Sequence, residues 1–161
     1  MSDELKRIVI PDFPFPPTSN HLFVSFYKGG KVRRVKHKNY VEYLNLVNTY
    51  HWSRENEFRA ARESLKDNQS YNIICYFLFP YERVYTKKGG MKICDVSNRG
   101  KALFDSLSTC LGIDDKYFNR VEMHKCVADT KEKVVIIIEP VEVLTESEVL
   151  TESEVLTSSP S

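Results

Sequence analysis

Six polar residues with chemically useful side chains fall within the 21 positions 95–115. They are Asp95, Asn98, Lys101, Asp105, Asp114 and Asp115. Carboxylate oxygens are the ligands that Mg²⁺ prefers in proteins, and a bound divalent ion polarises a phosphoryl oxygen and lowers the pKa of its water. A nearby lysine neutralises the charge that develops on a phosphate. These residue types therefore suit metal-assisted hydrolysis of a phosphodiester bond.

A purely structural interpretation of the same residues stays open. Lys101 and Asp105 are four positions apart, which on a helix gives a surface ion pair. Asn98 is a good helix N-cap, and Asp114 and Asp115 are typical of a turn. Spacing alone does not decide between the two interpretations, because both use common residues at common positions.

The helix predicted between these residues also separates them. A helix of about 14 residues spans roughly 21 Å, so the Asp95 and Asp115 carboxylates meet only if the chain after Gly112 folds back along it. Lys101 and Asp105 lie about 40° apart around the helix axis. Their shared polar face is therefore free to line a cleft.

Apolar spacing predicts the elements around these residues. Residues 71–79 form a nearly continuous apolar run, which indicates a central strand buried on both faces, and residues 80–94 form a lysine-containing loop. The following helix has Ser97 or Asn98 as its N-cap and Gly112 as its C-terminal stop. Its apolar side carries Ala102, Leu103, Phe104, Leu107, Cys110 and Leu111. Residues 119–127 and 133–138 predict two antiparallel strands joined by a turn at 129–132.

The first half of the chain predicts a strand, a hairpin and a long helix. Residues 7–10 are β-rich, and the four prolines of 11–17 exclude a helix or a mid-sheet strand there. The β-rich runs 22–27 and 32–35 flank Gly29-Gly30, as in a hairpin. Helical spacing begins at Lys38 and continues to about Asp67, with a break near Trp52. The order of elements predicts an α+β fold with a small mixed sheet, one long helix and one shorter helix.

Charge divides the chain into a basic body and an acidic end. The 161 residues carry a formal net charge of +1, but positions 139–161 hold six acidic residues and no Lys or Arg. The preceding body therefore has a charge of about +7, which points to a polyanionic partner. The alternative is a solvated surface with an acidic appendage.

The acidic end contains the repeat Glu-Val-Leu-Thr-Glu-Ser. A six-residue period matches no helix, so we expect residues 1–140 to form one domain and residues 141–161 a flexible acidic tail. No apolar run approaches the roughly 20 residues of a membrane span, and the N-terminus lacks a signal pattern. We therefore expect a cytoplasmic protein without a membrane partner. The four cysteines include no Cys-x-x-Cys pair, which argues against a zinc site and for free thiols.

The combined motif resembles that of RusA-type Holliday junction resolvases. The family motif reads Asp-x-Asp-Asn-x-x-Lys, then a helix ending in Asp-x-Leu, then a Gly-containing turn with Asp-Asp. The matching residues here are Asp95, Asn98, Lys101, Asp105, Leu107, Gly112, Asp114 and Asp115. An opening Pro16-Pro17-x-Ser19-Asn20 resembles the family's Pro-Pro-Ser-Asn, and the resemblance extends from about residue 11 to residue 138.

The resemblance implies a homodimeric α+β endonuclease that requires Mg²⁺, with Mn²⁺ as a substitute, and that nicks four-way DNA junctions in recombination or repair. It implies a bacterial or phage-infected cell as the setting. By position, Asp95 and Asp115 would be metal ligands, with Asp105 and Asp114 as further candidates. Lys101 would be catalytic and Asn98 would position groups at the site.

One departure from the family motif matters, because Ser97 stands where the family has its second Asp. A hydroxyl is a weaker, neutral ligand, so metal affinity should drop. Three outcomes are open: Asp105 or Asp114 supplies the carboxylate, Ser97 acts through a water, or the protein binds junctions without cutting them.

Basic residues near both predicted loops suit a DNA partner. The candidate DNA-binding residues are Lys28, Lys31, Arg33, Arg34, Lys36, Lys38, Lys87, Lys88, Lys92 and Arg99. Tyr81 and Tyr85 accompany the second group and are able to stack on unpaired bases. The alternative is that these lysine-rich loops serve solubility alone.

Overall fold

A computed structural model of the chain describes residues 7–129 and 131–157, with side chains up to residue 152. The strands within these ranges are β1 (Ile8–Phe13), β2 (Phe23–Lys28), β3 (Lys31–Lys36), β4 (Ser70–Phe79), β5 (Phe118–Val127) and β6 (Lys133–Val141). The helices are α1 (Lys38–Ser53), α2 (Glu55–Ser64), α3 (Tyr81–Val84), α4 (Gly100–Leu111) and α5 (Glu146–Thr157).

The main sheet has four strands in the order β1-β6-β4-β5. β6 is antiparallel to both β1 and β4, whereas β5 is parallel to β4. β2 and β3 form a separate hairpin that turns at Gly29 and Gly30, both with positive φ. The predicted α+β class, mixed sheet and hairpin are confirmed. Pro11 lies in β1, on the sheet edge, where a missing amide hydrogen is tolerated.

β4 is central, as predicted, but it is not buried on both faces. Its residues alternate along the strand, and those of one face, such as Ile73, Cys75 and Phe77, are fully buried. Those of the other face, such as Ile74 and Tyr76, are only partly buried. The apolar run in the sequence therefore reflects a sheet whose second face is only partly covered.

β5 and β6 run antiparallel, as predicted, but they are not neighbours. β4 lies between them and pairs with both over nearly its whole length. In this position the backbone groups on both edges of β4 have hydrogen-bond partners. If β5 and β6 paired with each other as a hairpin, one edge of β4 would be left unpaired. The sequence pattern could not reveal this, because strands adjacent in the chain need not be adjacent in the sheet.

The predicted break in the long helix is confirmed at Arg54, which separates α1 from α2. Both helices pack on α4. Arg62 of α2 ties the three helices together, because its guanidinium contacts His51 Nε2 of α1 at 3.0 Å and donates to the Cys110 carbonyl of α4 at 3.0 Å. These contacts hold the C-terminal end of α4 in place.

α4 begins differently from the prediction and ends as predicted. A 3-10 turn, Ser97–Arg99, leads directly into it, and no side chain caps its N-terminus. The Ser97 hydroxyl is bonded to Asp95 instead. Gly112 ends the helix with φ of 62°, a left-handed conformation that favours glycine.

Residues Glu146–Thr157 form α5, which differs from the expectation that a six-residue repeat forms no helix. Its Val and Leu positions do not share one face, and Leu150 is exposed. The start of the helix is capped locally, since the Glu148 carboxylate accepts from the Thr145 amide and hydroxyl. Local capping and good helix formers thus permit a helix without an apolar stripe.

None of the helices in the described parts of the chain is long and apolar enough to cross a membrane.

Candidate functional site

The chain segment after β4 forms one wall of a cavity and leads to Asp95. α3 is followed by an antiparallel bridge between Tyr85 and Met91, and the chain then extends to Asp95. Val84, which is buried, anchors this segment to the core. The carboxyl end of a central strand thus delivers the first motif residue, as is common for sites in α/β units.

Asp95 is held by the residue that departs from the family motif. Its Oδ1 accepts two hydrogen bonds from Ser97, one from the amide at 2.9 Å and one from the hydroxyl at 2.7 Å. The Ser97 hydroxyl, and then its amide, keep the pKa of Asp95 below its ordinary value, because both bonds favour the charged form. Ser97 therefore orients an ionised carboxylate.

Asn98 and Arg99 connect this motif to the N-terminal segment. Ser19 donates to the Asn98 carbonyl at 2.6 Å, and Arg99 donates to the Pro16 carbonyl at 2.7 Å. The Arg99 guanidinium also lies 4.8 Å from the Phe15 ring centre. The Pro-Pro-x-Ser-Asn opening therefore positions the motif, a role that sequence reasoning did not assign.

Arg99 is partly buried, whereas the basic residues of the hairpin and of the loop 87–92 are exposed. Partial burial lowers its pKa, and its guanidinium is engaged by backbone carbonyls, including that of Asp95 at 3.3 Å. Neighbouring Asn98 points its Oδ1 to a place with no exposure and no hydrogen-bond partner among the described residues. A buried amide oxygen without a partner would be compensated by a cation only if local rearrangement let the ion reach it.

A cavity of about 440 Å³ brings these groups together. Its lining includes Thr18, Arg83, Lys92, Asp95, Asn98 and Arg99. The Asp95 carboxylate therefore shares this cavity with three basic residues, of which Arg83 is paired with Glu132 at 3.1 Å and Lys92 donates to the Glu82 carbonyl. This combination suits an anionic ligand that is bridged to a cation, such as a phosphate group.

Lys101 and Asp105 lie in the first and second turns of α4, outside the lining of this cavity. Their side chains are exposed and approach each other at 3.4 Å. The predicted shared face is confirmed. The surface-pair interpretation also fits this contact, and such exposed pairs contribute little to stability.

Asp114 and Asp115 lie at the opposite end of α4 from Asp95. Both residues precede β5, and only β5 itself runs back along α4, with Phe118 beside Phe104 and Met123 beside Gly100. The 12 residues of α4 therefore account for about 18 Å of separation. Asp114 caps a 3-10 turn by accepting the Lys116 amide at 3.0 Å, which lowers its pKa. Among the described residues, no three His, Cys, Asp or Glu side chains group closely enough to hold a metal ion.

The basic hairpin is exposed along its length, except at Phe23, which is partly buried against the core. Lys28, Lys31, Arg33, Arg34 and Lys36 are all exposed, and Arg34 lies over the Phe23 ring at 4.1 Å. Lys38, at the start of α1, approaches Glu42 at 3.8 Å. The segment before the hairpin is bonded to the cavity wall. The Ser19 hydroxyl, four residues before β2, donates to the carbonyl of Asn98, which lines the cavity.

The chain matches a protein-family model over most of its length. The family model described as "Endodeoxyribonuclease RusA" matches residues 14–139, which include both hairpin and motif. No curated protein matches the chain. Because the match covers most of the chain, from the N-terminal opening to β6, the protein belongs to the RusA family of endodeoxyribonucleases.

Proposed function

We propose that the protein is a metal-dependent endonuclease that nicks four-way DNA junctions as a homodimer, in recombination or repair. The observation that carries this proposal is the cavity that Asp95 and Asn98 line together with the basic residues Arg83, Lys92 and Arg99. Membership of the RusA family supplies the substrate class.

The donor chemistry at this cavity fits Mg²⁺, and Mn²⁺ as a substitute. Asp95 keeps Oδ2 free, because both Ser97 bonds go to Oδ1, and the Asn98 Oδ1 has no partner among the described residues. A hard divalent ion prefers such oxygens. When bound, it would polarise a phosphoryl oxygen and activate a water for attack.

The chain's own residues would bind and orient the substrate. Arg83, Lys92 and Arg99 line the cavity and would attract a backbone phosphate. Lys101, in the first turn of α4, would neutralise charge that develops on the phosphate after leaving its exposed pair with Asp105. Ser97 would keep Asp95 ionised and correctly turned.

The separation of Asp95 from Asp114 and Asp115 supports the homodimer. Metal–oxygen distances are about 2.1 Å, so carboxylates at the two ends of α4 cannot share an ion within one chain. A two-fold axis that sets two α4 helices antiparallel would bring Asp95 of one protomer to Asp115 of its partner. Each dimer would then have two sites, and each site would use both protomers.

A second candidate function is junction binding without cleavage. Ser97 favours it, because a hydroxyl replaces the family carboxylate and uses its proton to bond Asp95. The cavity then has one fewer negative ligand, while its positive wall remains suited to phosphate.

A labelled four-way junction incubated with the protein in Mg²⁺ or Mn²⁺ tests both functions. We expect paired nicks that need the metal. Binding without nicks in both metals would favour the second function. Absence of junction binding would overturn both proposals.

A further inference from the structure

A short finger of residues 84–93 projects next to the cavity. Tyr85 and Met91 form an antiparallel bridge across it, and the Lys92 amide donates to the Val84 carbonyl at 2.7 Å. Its tip, residues 86–90, is closed by backbone hydrogen bonds of 2.7 and 2.9 Å. The finger is therefore a formed hairpin with its own hydrogen bonds, anchored by the buried Val84.

The finger presents large apolar side chains to solvent. Ile93 is fully exposed, and Met91 is 68% exposed. Tyr81, at the base of the finger, is half exposed, and its ring centre lies 5.0 Å from that of Tyr85. Exposed apolar groups that cluster on an ordered element indicate a binding surface.

The charges around this cluster indicate a nucleic acid as the partner. Lys87 and Lys88 are exposed at the tip of the finger, and Lys92 follows Met91. Apolar side chains flanked by lysines are typical of elements that hold phosphates while an apolar group enters the base stack. A protein interface would instead be depleted in lysine.

The finger is directly joined to the cavity. Ile93 and Lys92 line it together with Asp95, and only Cys94 separates Ile93 from Asp95 in the chain. An apolar side chain inserted into DNA at this place would bring a backbone phosphate to the carboxylate.

We propose that the finger is a wedge, in which Ile93 and Met91 insert between bases at the branch point while Lys87 and Lys88 hold the flanking phosphates. The bases at a branch point lack a continuous stack, so a wedge enters there at a lower cost than in duplex DNA. The wedge would therefore select junctions over duplexes. This inference rests on the proposed function and deepens it.

A junction with 2-aminopurine at the branch point, and a duplex of the same sequence, test the wedge. The full-length protein in Ca²⁺, which suppresses cleavage, should raise 2-aminopurine fluorescence in the junction but not in the duplex. The double substitution Met91→Ala with Ile93→Ala should abolish this rise. It should also reduce the preference for junction over duplex about tenfold, the scale of losing a stacking contact. Duplex affinity should stay within about twofold, since phosphates dominate it.

Two controls separate the wedge from general effects. Leu46→Ala removes another exposed apolar side chain, on α1, and should behave as the wild type. Lys87→Ala with Lys88→Ala should weaken junction and duplex binding alike and reduce the salt dependence by about two charges.

The outcomes distinguish the wedge from the proposed function. A wild-type protein that binds and nicks junctions without a fluorescence rise would overturn the wedge alone. An unchanged rise and preference in the double variant would do the same. If the double variant instead dissociates a dimer in sedimentation, the apolar cluster is a protein interface and the wedge is wrong. A wild-type protein that does not bind junctions removes both proposals.

Discussion

Two inactive variants should restore each other's activity if each site uses both protomers. Asp95→Asn and Asp115→Asn each remove a proposed metal ligand, at opposite ends of α4 and about 18 Å apart along the helix. In a heterodimer, one site then carries both substitutions, and the other site carries neither. If instead each site lay within one chain, both sites of the heterodimer would carry one substitution and stay inactive.

The size of the recovery follows from symmetry. A purified heterodimer has one intact site of two, so about half of wild-type nicking should return, whereas an unfractionated random mixture, about half of it heterodimer, should return about a quarter. Each variant alone should show almost no nicking and should still bind junctions. The carboxylate-to-amide change removes repulsion of phosphate, so binding stays equal or becomes tighter.

The assay uses coexpressed variants with two different affinity tags, so that heterodimers are purified by tandem capture. Their nicking of a labelled junction in Mg²⁺ is compared with that of each homodimer and of the wild type. Mixing Asp95→Asn with itself under both tags is the control for the procedure. Inactive heterodimers that bind junctions normally would refute the shared site, as would full activity of either variant alone.

Three further predictions concern Ser97, Lys101 and the acidic tail. Ser97→Ala should raise the pKa of Asp95 towards its ordinary value, which NMR titration would measure. It should also move the acid limb of the pH profile of nicking to higher pH, because a higher pKa leaves less of the carboxylate ionised. An unchanged Asp95 titration would contradict the assigned bonds. Lys101→Ala should abolish nicking with little change in Tm, since its side chain is exposed; a large fall in Tm would make it structural. Deleting residues 141–161 should tighten duplex binding and steepen its salt dependence, because a tethered acidic tail competes with DNA at high effective concentration. Tm should stay nearly unchanged, and a strongly lowered Tm would show that the tail supports the fold.

Local signals in the sequence were sufficient for most elements. The continuous apolar run predicted β4, helical spacing predicted α4, Gly29-Gly30 predicted the hairpin turn, and Gly112 predicted the end of α4. Each of these depends on backbone geometry and burial within a few residues, so the pattern carries it directly. The motif around Asp95 was also recognisable, because its residue types and spacing are local.

Features that depend on distant parts of the chain were not predictable from such patterns. The insertion of β4 between β5 and β6 depends on pairing across many residues, and the contacts of Ser19 with Asn98 join positions 79 apart in the chain. The separation of Asp95 from Asp115 required knowing that the chain enters β5 after Gly112. Periodicity records which face of an element is buried, but long-range packing determines which elements meet. The family motif could therefore be found in the sequence, whereas the separation of its residues between the two ends of α4 became apparent only from the packed fold.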